Sequence, residues 1–289
     1  MDLYELQLSN PELFPQFSLK DTLVLYYNCP QRDKIMQLYS KHIQIHFTLS
    51  GKRIQKHGNH RWVFSPKKGG LLKKCAFLQE LPADYSGWET MVFYLKDDYL
   101  RSVFEEFRPY LSMSGLPEPN KVMTEMFEID EQIRSCYKSF LPYFGNTKPL
   151  PETLLESKFK ELLFNIFSHP DNKHILAYIL KIVDRYQTPV WEVMEENFMF
   201  DLKIQDYANI ANRSLSTFKR DFKKHYQTTP GKWLVNRRLQ KAKAFLETTD
   251  KPISDVAYEC GFKNRSHFSR VFKKKFNSSP SHFQKHSTN

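Results

Sequence analysis

The stretch SHFSRVFKKKF, residues 266–276, combines aromatic and cationic side chains at helical spacing. Its apolar residues recur at i, i+3, i+4 and i+8, and they are Phe268, Val271, Phe272 and Phe276. Arg270 and three lysines fall on the other face. Because most basic helix faces are merely solvated, this stretch alone does not distinguish a binding surface from an ordinary amphipathic helix.

The same pattern occurs fifty residues earlier in the chain, as STFKRDFKKHYQTTP at 216–230. Against SHFSRVFKKKFNSSP at 266–280, the serine, both phenylalanines, the arginine, two lysines and the proline recur at an offset of 50. Upstream, KIQDYANIA (203–211) and PISDVAYEC (252–260) match at an offset of 49, so the second copy has one extra residue near Gly261. So many matches at a nearly fixed offset indicate one supersecondary unit used twice.

Each copy is predicted to be a short helix, a polar turn and a longer helix that begins near Ser214 or Asn264. A basic second helix after such a turn is the helix-turn-helix arrangement, in which the second helix enters the major groove of DNA. Between the copies, PGKWLVNRRLQKAKAFLETT (230–249) has apolar residues at helical spacing after a proline suited to a first turn. It is predicted to be one helix that links the two units rigidly.

The excess positive charge of the chain lies in its last third. The net charge of the 289 residues is +11. Residues 201–289 hold 19 Lys and Arg against 7 Asp and Glu, whereas residues 1–200 hold 24 against 25. This asymmetry is typical of a polyanion-binding module joined to a neutral one.

The region from about 187 to 289 resembles the DNA-binding domain of the AraC/XylS family of bacterial transcription regulators. The resemblance is carried by Arg238-Leu239, Ala242, Leu246, ISDVAYECGF (253–262), SHFSRVFKKKF and Ser279-Pro280. It implies two second helices that read successive major grooves about 34 Å apart. The sequence departs from the family at Gln227 and Asn277, which stand where glycine usually ends each second helix in the left-handed conformation. Asn tolerates that conformation better than Gln. The turn that follows the second helix of the first copy, at Gln227, is therefore expected to be strained or differently built.

Base edges carry sequence information, whereas phosphate contacts fix position. The exposed positions of the second helices match those that touch bases in the family. The expected base-reading residues are Ser216, Lys219, Arg220, Arg265, Ser266, His267 and Arg270. The expected phosphate-binding residues are Arg213, Lys223, Lys224, Lys263, Lys273 and Lys274. The two turn cations, Arg213 and Lys263, could equally reach a base.

Three of these side chains have a structural alternative. Arg220 could form an ion pair with Asp206, and Arg270 could form one with Glu259. His267 could be a polar residue at a helix start that touches no base. These alternatives compete with base reading at each position.

From Thr22 to Leu95 the chain runs in short alternating stretches typical of strands. They are TLVLYY (22–27), IQIHFTLSG (43–51), RWVFSP (61–66), KKCAFLQE (73–80) and ETMVFYL (89–95). The turns between them are interpreted as Gly51, Gly58-Asn59 and Gly69-Gly70. Many short strands predict a small barrel or jelly roll, and a cupin-like sensor domain precedes the DNA-binding domain in many family members. The predicted fold class is therefore α+β, with an N-terminal small β-barrel (cupin-like) with helices and a C-terminal all-α double helix-turn-helix domain.

Helices are predicted after Asp97-Asp98, at 126–141, at 152–167 and from 175 onward. The apolar stripe of 152–167 must be buried, either in its own domain or against a partner. Because the family dimerises through helices at this position, the candidate dimerisation residues are Leu155, Phe159, Leu162, Leu163 and Ile166.

Gln187-Thr188-Pro189 marks the predicted domain junction. It separates a cupin-like sensor and dimerisation domain at 1–185 from the DNA-binding domain at 187–289. The stretch FYLKDDYLR (93–101) and the helices after it resemble secretion-system activators that protein partners control.

The sequence offers no metal or catalytic pattern. Metal-binding cupins use an HxH motif, which does not occur among the four histidines of the strand region, His42, His46, His57 and His60. The four cysteines form no CxxC pair, so we expect no zinc site and no disulfide framework. No Ser/His/Asp or Cys/His arrangement occurs, and neither a metal nor another cofactor is expected.

The resulting expectation is a cytoplasmic transcription regulator of the AraC/XylS type, an activator and not an enzyme. Its expected partners are double-stranded promoter DNA, RNA polymerase, a second copy of the chain, and an effector that is a small molecule or a regulatory protein. The alternatives are a metal-dependent cupin enzyme with a DNA-binding tail, and a non-specific architectural protein. A DNA-repair methyltransferase with a similar C-terminal domain needs a cysteine cluster that this chain lacks.

Overall fold

The structure is a computed structural model that describes residues 2–20, 22–84, 87–120, 122–145, 151–183 and 188–287. The chain divides into two compact units, Met1–Tyr186 and Gln187–Asn289. Residue 187, at the predicted junction, lies outside the described residues. No helix in the described ranges is long and apolar enough to cross a membrane.

The amino-terminal unit consists of two antiparallel sheets and a layer of helices. The strands are β1 (Gln16–Leu19), β2 (Thr22–Asn28), β3 (Ile35–Ser40), β4 (Ile43–Gly51), β5 (Arg53–His57), β6 (His60–Phe64), β7 (Lys68–Leu72), β8 (Cys75–Glu80), β9 (Trp88–Leu95) and β10 (Thr124–Glu128). One sheet has six strands in the order β1-β2-β9-β4-β7-β10, and the other has four in the order β3-β8-β5-β6. The helices are α1 (Leu3–Leu8), α2 (Asp97–Phe107), α3 (Glu131–Lys138), α4 (Glu152–Ser168) and α5 (Lys173–Val183).

The two sheets do not close into one barrel. In the described residues no ladder joins a strand of one sheet to a strand of the other, so both sheets keep open edges. The α+β class and the all-helical C-terminal unit are confirmed, whereas the closed barrel is corrected to two open sheets.

The six-stranded sheet packs on both of its faces. In β4, Ile45 and Phe47 belong to the core that the helices cover, where Phe47 stacks on Tyr137 of α3 at 4.2 Å between ring centroids. The alternate residue His46 lies on the opposite face, with its ring against Phe64 of the four-stranded sheet. Because side chains alternate along a strand, one strand supplies both the helix-facing core and the layer between the sheets.

Gly69 and Gly70 lie inside β7, and the interpretation of this pair as a turn was wrong. A Cβ on Gly69 would lie 2.1 Å from the ring of Phe127, and one on Gly70 would lie 2.3 Å from the ring of Phe64. The two glycines therefore leave space for one large ring on each face of a central strand.

The predicted helix at 126–141 begins later than expected. Residues Thr124–Glu128 pair with β7 as strand β10 instead. The helix starts at Glu131 because the Asp130 carboxylate accepts a hydrogen bond from the Ile133 backbone N–H at 2.8 Å. Strand pairing thus overrides the helical spacing of the first residues of this segment.

Helix α4 confirms the predicted helix at 152–167, and its apolar stripe lies in the core of its own unit. All five candidate dimerisation residues are buried in the core of their own unit: Leu155, Phe159, Leu162, Leu163 and Ile166. Phe159, for example, stacks on Phe93 of β9 at 5.0 Å. Side chains that are already enclosed are not free to contact a second copy, so their burial weighs against a dimer interface at this stripe.

Leu162→Glu is expected to unfold the amino-terminal unit rather than split a dimer. Losing the buried leucine costs about 2–5 kcal/mol, and a buried unpaired carboxylate adds its desolvation penalty. Leu154→Glu is the matched control, because Leu154 lies on the same helix and is exposed. Thermal unfolding followed by circular dichroism measures both, and a folded Leu162→Glu protein with a changed oligomeric state would contradict the burial.

The carboxy-terminal unit is entirely helical in its described residues. Its helices are α6 (Val190–Asn197), α7 (Ile204–Ile210), α8 (Leu215–Tyr226), α9 (Pro230–Thr248), α10 (Ile253–Glu259), α11 (Arg265–Phe276) and α12 (Pro280–Ser287). The predicted linker at 230–249 is confirmed as the single helix α9.

Candidate nucleic-acid interface

The two reading helices are the second helices of the two helix-turn-helix units, which are expected to enter the major groove. The first reading helix is α8. It begins where the Ser214 hydroxyl accepts a hydrogen bond from the Thr217 backbone N–H at 3.3 Å, which satisfies one free donor of the first turn. Phe218 and Phe222 lie on its buried face, and both are enclosed completely. The helix can therefore present only its opposite face to a ligand.

The second reading helix, α11, is built in the same way. The Asn264 side-chain oxygen accepts from the His267 backbone N–H at 3.0 Å, which places the helix start one residue after Asn264. Phe268 and Phe272 are enclosed, and Val271 and Phe276 pack partly against the same core. The apolar stripe predicted from the spacing is confirmed.

Both exposed faces carry the predicted contact residues. Every predicted base-reading residue is exposed: Ser216, Lys219, Arg220, Arg265, Ser266, His267 and Arg270. The predicted phosphate ligands Lys223, Lys224, Lys263, Lys273 and Lys274 are exposed as well. Each reading helix thus presents hydroxyl and cationic side chains together, as a DNA groove requires.

The ion pairs proposed as alternatives do not form. The Asp206 carboxylate instead accepts from the Lys203 backbone N–H at 2.8 Å and caps α7. Glu259 pairs with Lys251 at 2.7 Å. Arg270 has no ion pair in the part of the chain that the structure describes. Its guanidinium is therefore available to a ligand.

The two turn cations, which occupy equivalent positions in the repeat, have different surroundings. The side chain of Arg213 is only 16% exposed and donates to the Asp221 carboxylate of α8, a contact that anchors the turn. The Lys263 side chain is 72% exposed and pairs with Asp201 at 2.9 Å. Lys263 can exchange this exposed carboxylate for a phosphate.

Both reading helices end in the left-handed conformation. Gln227 has φ of +54° and Asn277 has φ of +55°. The Gln227 N–H donates to the Lys223 carbonyl at 2.9 Å and closes the end of α8. The turn after α8 therefore has the left-handed conformation expected from the family resemblance. Its residue, Gln227, is one for which this conformation is costly.

Gln227→Gly is expected to stabilise the protein by about 0.5–1 kcal/mol. The left-handed cost of about 1–2 kcal/mol disappears, offset in part by the greater freedom of glycine in the unfolded chain. Asn277→Gly is the comparison and should gain less, because Asn tolerates the conformation. Urea unfolding measures both; a less stable Gln227→Gly protein would refute the strain.

Arg238 of α9 connects the two helix-turn-helix units. Its side chain is buried, with 8% exposed, and donates three hydrogen bonds to backbone carbonyls. The acceptors are the carbonyls of Phe198 at 2.6 Å, Phe200 at 2.8 Å and Gly261 at 2.7 Å. One guanidinium thereby joins the segment after α6 to the turn of the second unit.

Gly261 is part of the same contact. Its φ is +83°, and a Cβ there would lie 2.7 Å from the Met199 carbonyl oxygen and 3.0 Å from the Arg238 guanidinium. The extra residue that the second repeat carries near Gly261 is therefore the place where the backbone turns under Arg238.

Arg238→Met is expected to lower the free energy of unfolding by at least about 3 kcal/mol, because three buried carbonyls lose charged donors. Arg237→Met is the matched control. The neighbouring Arg237 side chain is 35% exposed and pairs with Glu195 at 2.9 Å, a surface pair that contributes under about 1 kcal/mol. Denaturant unfolding measures both variants, and equal losses of unfolding free energy would contradict this role of Arg238.

The linker helix α9 also contacts the hydrophobic cores of both helix-turn-helix units. Trp233, in its first turns, lies 5.7 Å from Phe222 between ring centroids. Leu239, Ala242 and Leu246 belong to the core of the second unit. Rigid connection of the reading helices follows from this double packing.

Two further groups near the reading helices are unsuited to binding. Lys275 donates to the Asn236 side chain and backbone of α9, and burial lowers the pKa of its ammonium group. Burial raises the pKa of the Cys260 thiol to about 12, which leaves it protonated and unreactive. Neither residue belongs to the exposed faces.

Two histidines of the amino-terminal unit, His42 and His46, have pKa values that burial lowers. Burial lowers the pKa of His46 to about 3, and its Nε2 shares a hydrogen bond with Gln44 at 2.7 Å. Burial, with Lys41 nearby, lowers the pKa of His42 to about 4. Over the described ranges, no three His, Cys, Asp or Glu side chains are grouped so that they could hold a metal ion.

Two protein families match the chain. A helix-turn-helix domain model matches residues 207–286, and the ExsA N-terminal regulatory domain model matches residues 44–178. The chain belongs to the AraC/XylS family of transcription regulators. The two matched regions fall one in each compact unit of the chain.

Similar proteins include the transcriptional activator RhaS of Enterobacter sp. (strain 638), 37% identical over 30% of this chain and 31% of that protein. The transcriptional regulator ExsA of Pseudomonas aeruginosa is 28% identical over 45% of this chain and 47% of its own. The chain thus spans less than half the length of these curated relatives. A solved structure of apo ToxT from Vibrio cholerae is 16% identical, with a TM-score of 0.40, over 91% of this chain and 97% of that chain.

Proposed function

We propose that this protein is a sequence-specific transcription activator that binds promoter DNA through α8 and α11. The observation that carries the proposal is the twinned exposed face of the two reading helices, each with an arginine among hydroxyl groups and lysines. Arginine can bind guanine O6 and N7 with two parallel hydrogen bonds, the strongest single base contact. Such a regulator acts in the cytoplasm, where bacterial promoters are.

The rigid linker determines how the two helices are used. Because α9 packs on both cores, α8 and α11 keep a fixed separation and should enter successive major grooves about 34 Å apart on one face of the DNA. Base reading is assigned to the residues near each helix start, and phosphate binding to Lys223, Lys224, Lys263, Lys273 and Lys274. Lys219 and Arg220 read bases beside Ser216.

Control by an effector is the second part of the proposal, and the match to a regulatory domain supports it. A cavity of about 240 Å³ is lined by α1 and by strands β2, β3 and β8. Its wall combines apolar side chains with the amides of Gln7, Gln31 and Gln79 and with the charged residues Arg32 and Asp33. This composition suits a small molecule with polar groups, and a regulatory protein is the alternative effector. RNA polymerase and a second copy of the chain are proposed as further partners.

Selection of the full-length protein on random duplex DNA, at two salt concentrations, tests the proposal. We expect enrichment of an asymmetric site with two parts about one helical turn apart. Salt-sensitive binding without an enriched motif would mean that the basic faces contact only phosphate, as in an architectural protein.

Arg270→Ala is expected to weaken binding to the selected site by roughly 1–3 kcal/mol and to relax the preference at one or two base pairs. Lys274→Ala, on the same helix, is the control: it should weaken binding to all sequences alike and reduce the salt slope by about 1. Fluorescence anisotropy on specific and random duplexes measures both. An equal loss on both duplexes for Arg270→Ala would reassign that residue to the DNA backbone.

A further inference from the structure

Asp221, on the first reading helix, lies between Arg213 of the preceding turn and Arg220 of the same helix. Its Oδ2 accepts a hydrogen bond from Nη1 of Arg213, and its Oδ1 lies 3.6 Å from Nε of Arg220. One carboxylate therefore contacts an arginine of the turn with one oxygen and faces an arginine of the reading face with the other.

The two arginines differ in burial. The Arg213 side chain is 16% exposed, and its backbone N–H donates to the Ala208 carbonyl at 2.9 Å, so the turn fixes it. The Arg220 side chain is 76% exposed. Asp221 itself is 29% exposed and is held by Arg213 at one oxygen, so its other oxygen has a fixed position beside Arg220.

An oxygen at this position favours one orientation of Arg220. A guanidinium that turns its Nε toward this oxygen leaves its two terminal nitrogens for a ligand. Guanine presents O6 and N7 to two parallel donors of this kind. An arginine ordered before binding also loses less side-chain entropy when it binds.

The second reading helix offers an internal comparison. At the position equivalent to Asp221 it has Val271, which packs partly in the core. The turn cation there, Lys263, pairs with Asp201 outside the helix. Arg270 therefore has no carboxylate in the corresponding place on α11.

We propose that Asp221 is a positioning residue that aims Arg220 at a guanine. The inference rests on the proposed function and deepens it. Asp221 touches no base in this proposal and acts only through Arg220.

Selection on random duplex DNA with full-length wild type and Asp221→Asn tests the proposal. The wild type should prefer guanine at one base pair, which is assigned to Arg220 because Arg220→Ala loses the preference there. In Asp221→Asn that preference should fall on the order of tenfold. Binding to random DNA should stay the same or strengthen, because one negative charge near the phosphates is removed. A guanine preference unchanged in Asp221→Asn would overturn the proposal.

Two further variants separate positioning from a structural role. In the Arg220→Ala background, Asp221→Asn should not change the base preference at this base pair further. A further loss of preference there would indicate damage to the fold and refute positioning. An equal loss of preference at the base pairs read by α11 would have the same meaning. Thermal unfolding checks the fold of Asp221→Asn. If that variant unfolds, Asp221→Glu replaces it, and a full wild-type preference with the carboxylate moved by one methylene would refute the proposal.

The proposed function and this inference fail differently. If the wild type enriches no motif, the function is wrong. If the wild type enriches a motif and Asp221→Asn enriches the same one, only the role of Asp221 is wrong.

Discussion

The arrangement of the reading helices depends on one buried guanidinium. Arg238 has the five donors of arginine in a fixed plane, and three of them donate to carbonyls that belong to two different segments. A buried cation must be fully hydrogen-bonded, so its acceptors cannot shift independently. Two of them, Phe198 and Phe200, follow the first helix of the unit, and the third, Gly261, lies in the second turn. The second reading helix is thereby positioned by residues that precede the first.

The two halves of the repeat share their cores but differ in electrostatics. Equivalent buried phenylalanines hold each reading helix to its core, and both helices end in a left-handed residue. In the first half the turn cation Arg213 pairs with Asp221 of its own helix, whereas in the second half Lys263 pairs with Asp201. A duplicated fold thus carries two different reading faces, as an asymmetric DNA site would require.

The amino-terminal unit encloses most of its apolar residues within itself. The six-stranded sheet is covered by helices on one face and by the second sheet on the other, and the stripe of α4 is part of that core. A partner must therefore use residues outside this stripe. The layer between the sheets is richer in polar groups, with Gln7 joined to Tyr27 at 2.9 Å, and the cavity opens beside it.

The sequence by itself determined the elements that local chemistry decides. The repeat, the spacing of Phe268 and Phe272, the charge of the last third and the linker helix depend on periodicity and composition, which are visible in one dimension. It also identified the exposed candidates, since the register of buried phenylalanines fixes which side chains face outward. Tertiary structure alone decided the rest, because these contacts join residues far apart in the chain. Only the fold shows that Gly69 lies within a strand beneath the ring of Phe127, or that the α4 stripe is enclosed. Likewise, only the fold brings Arg213 to Asp221 and Arg238 to Gly261, since an ion pair or a buried hydrogen bond has no sequence period.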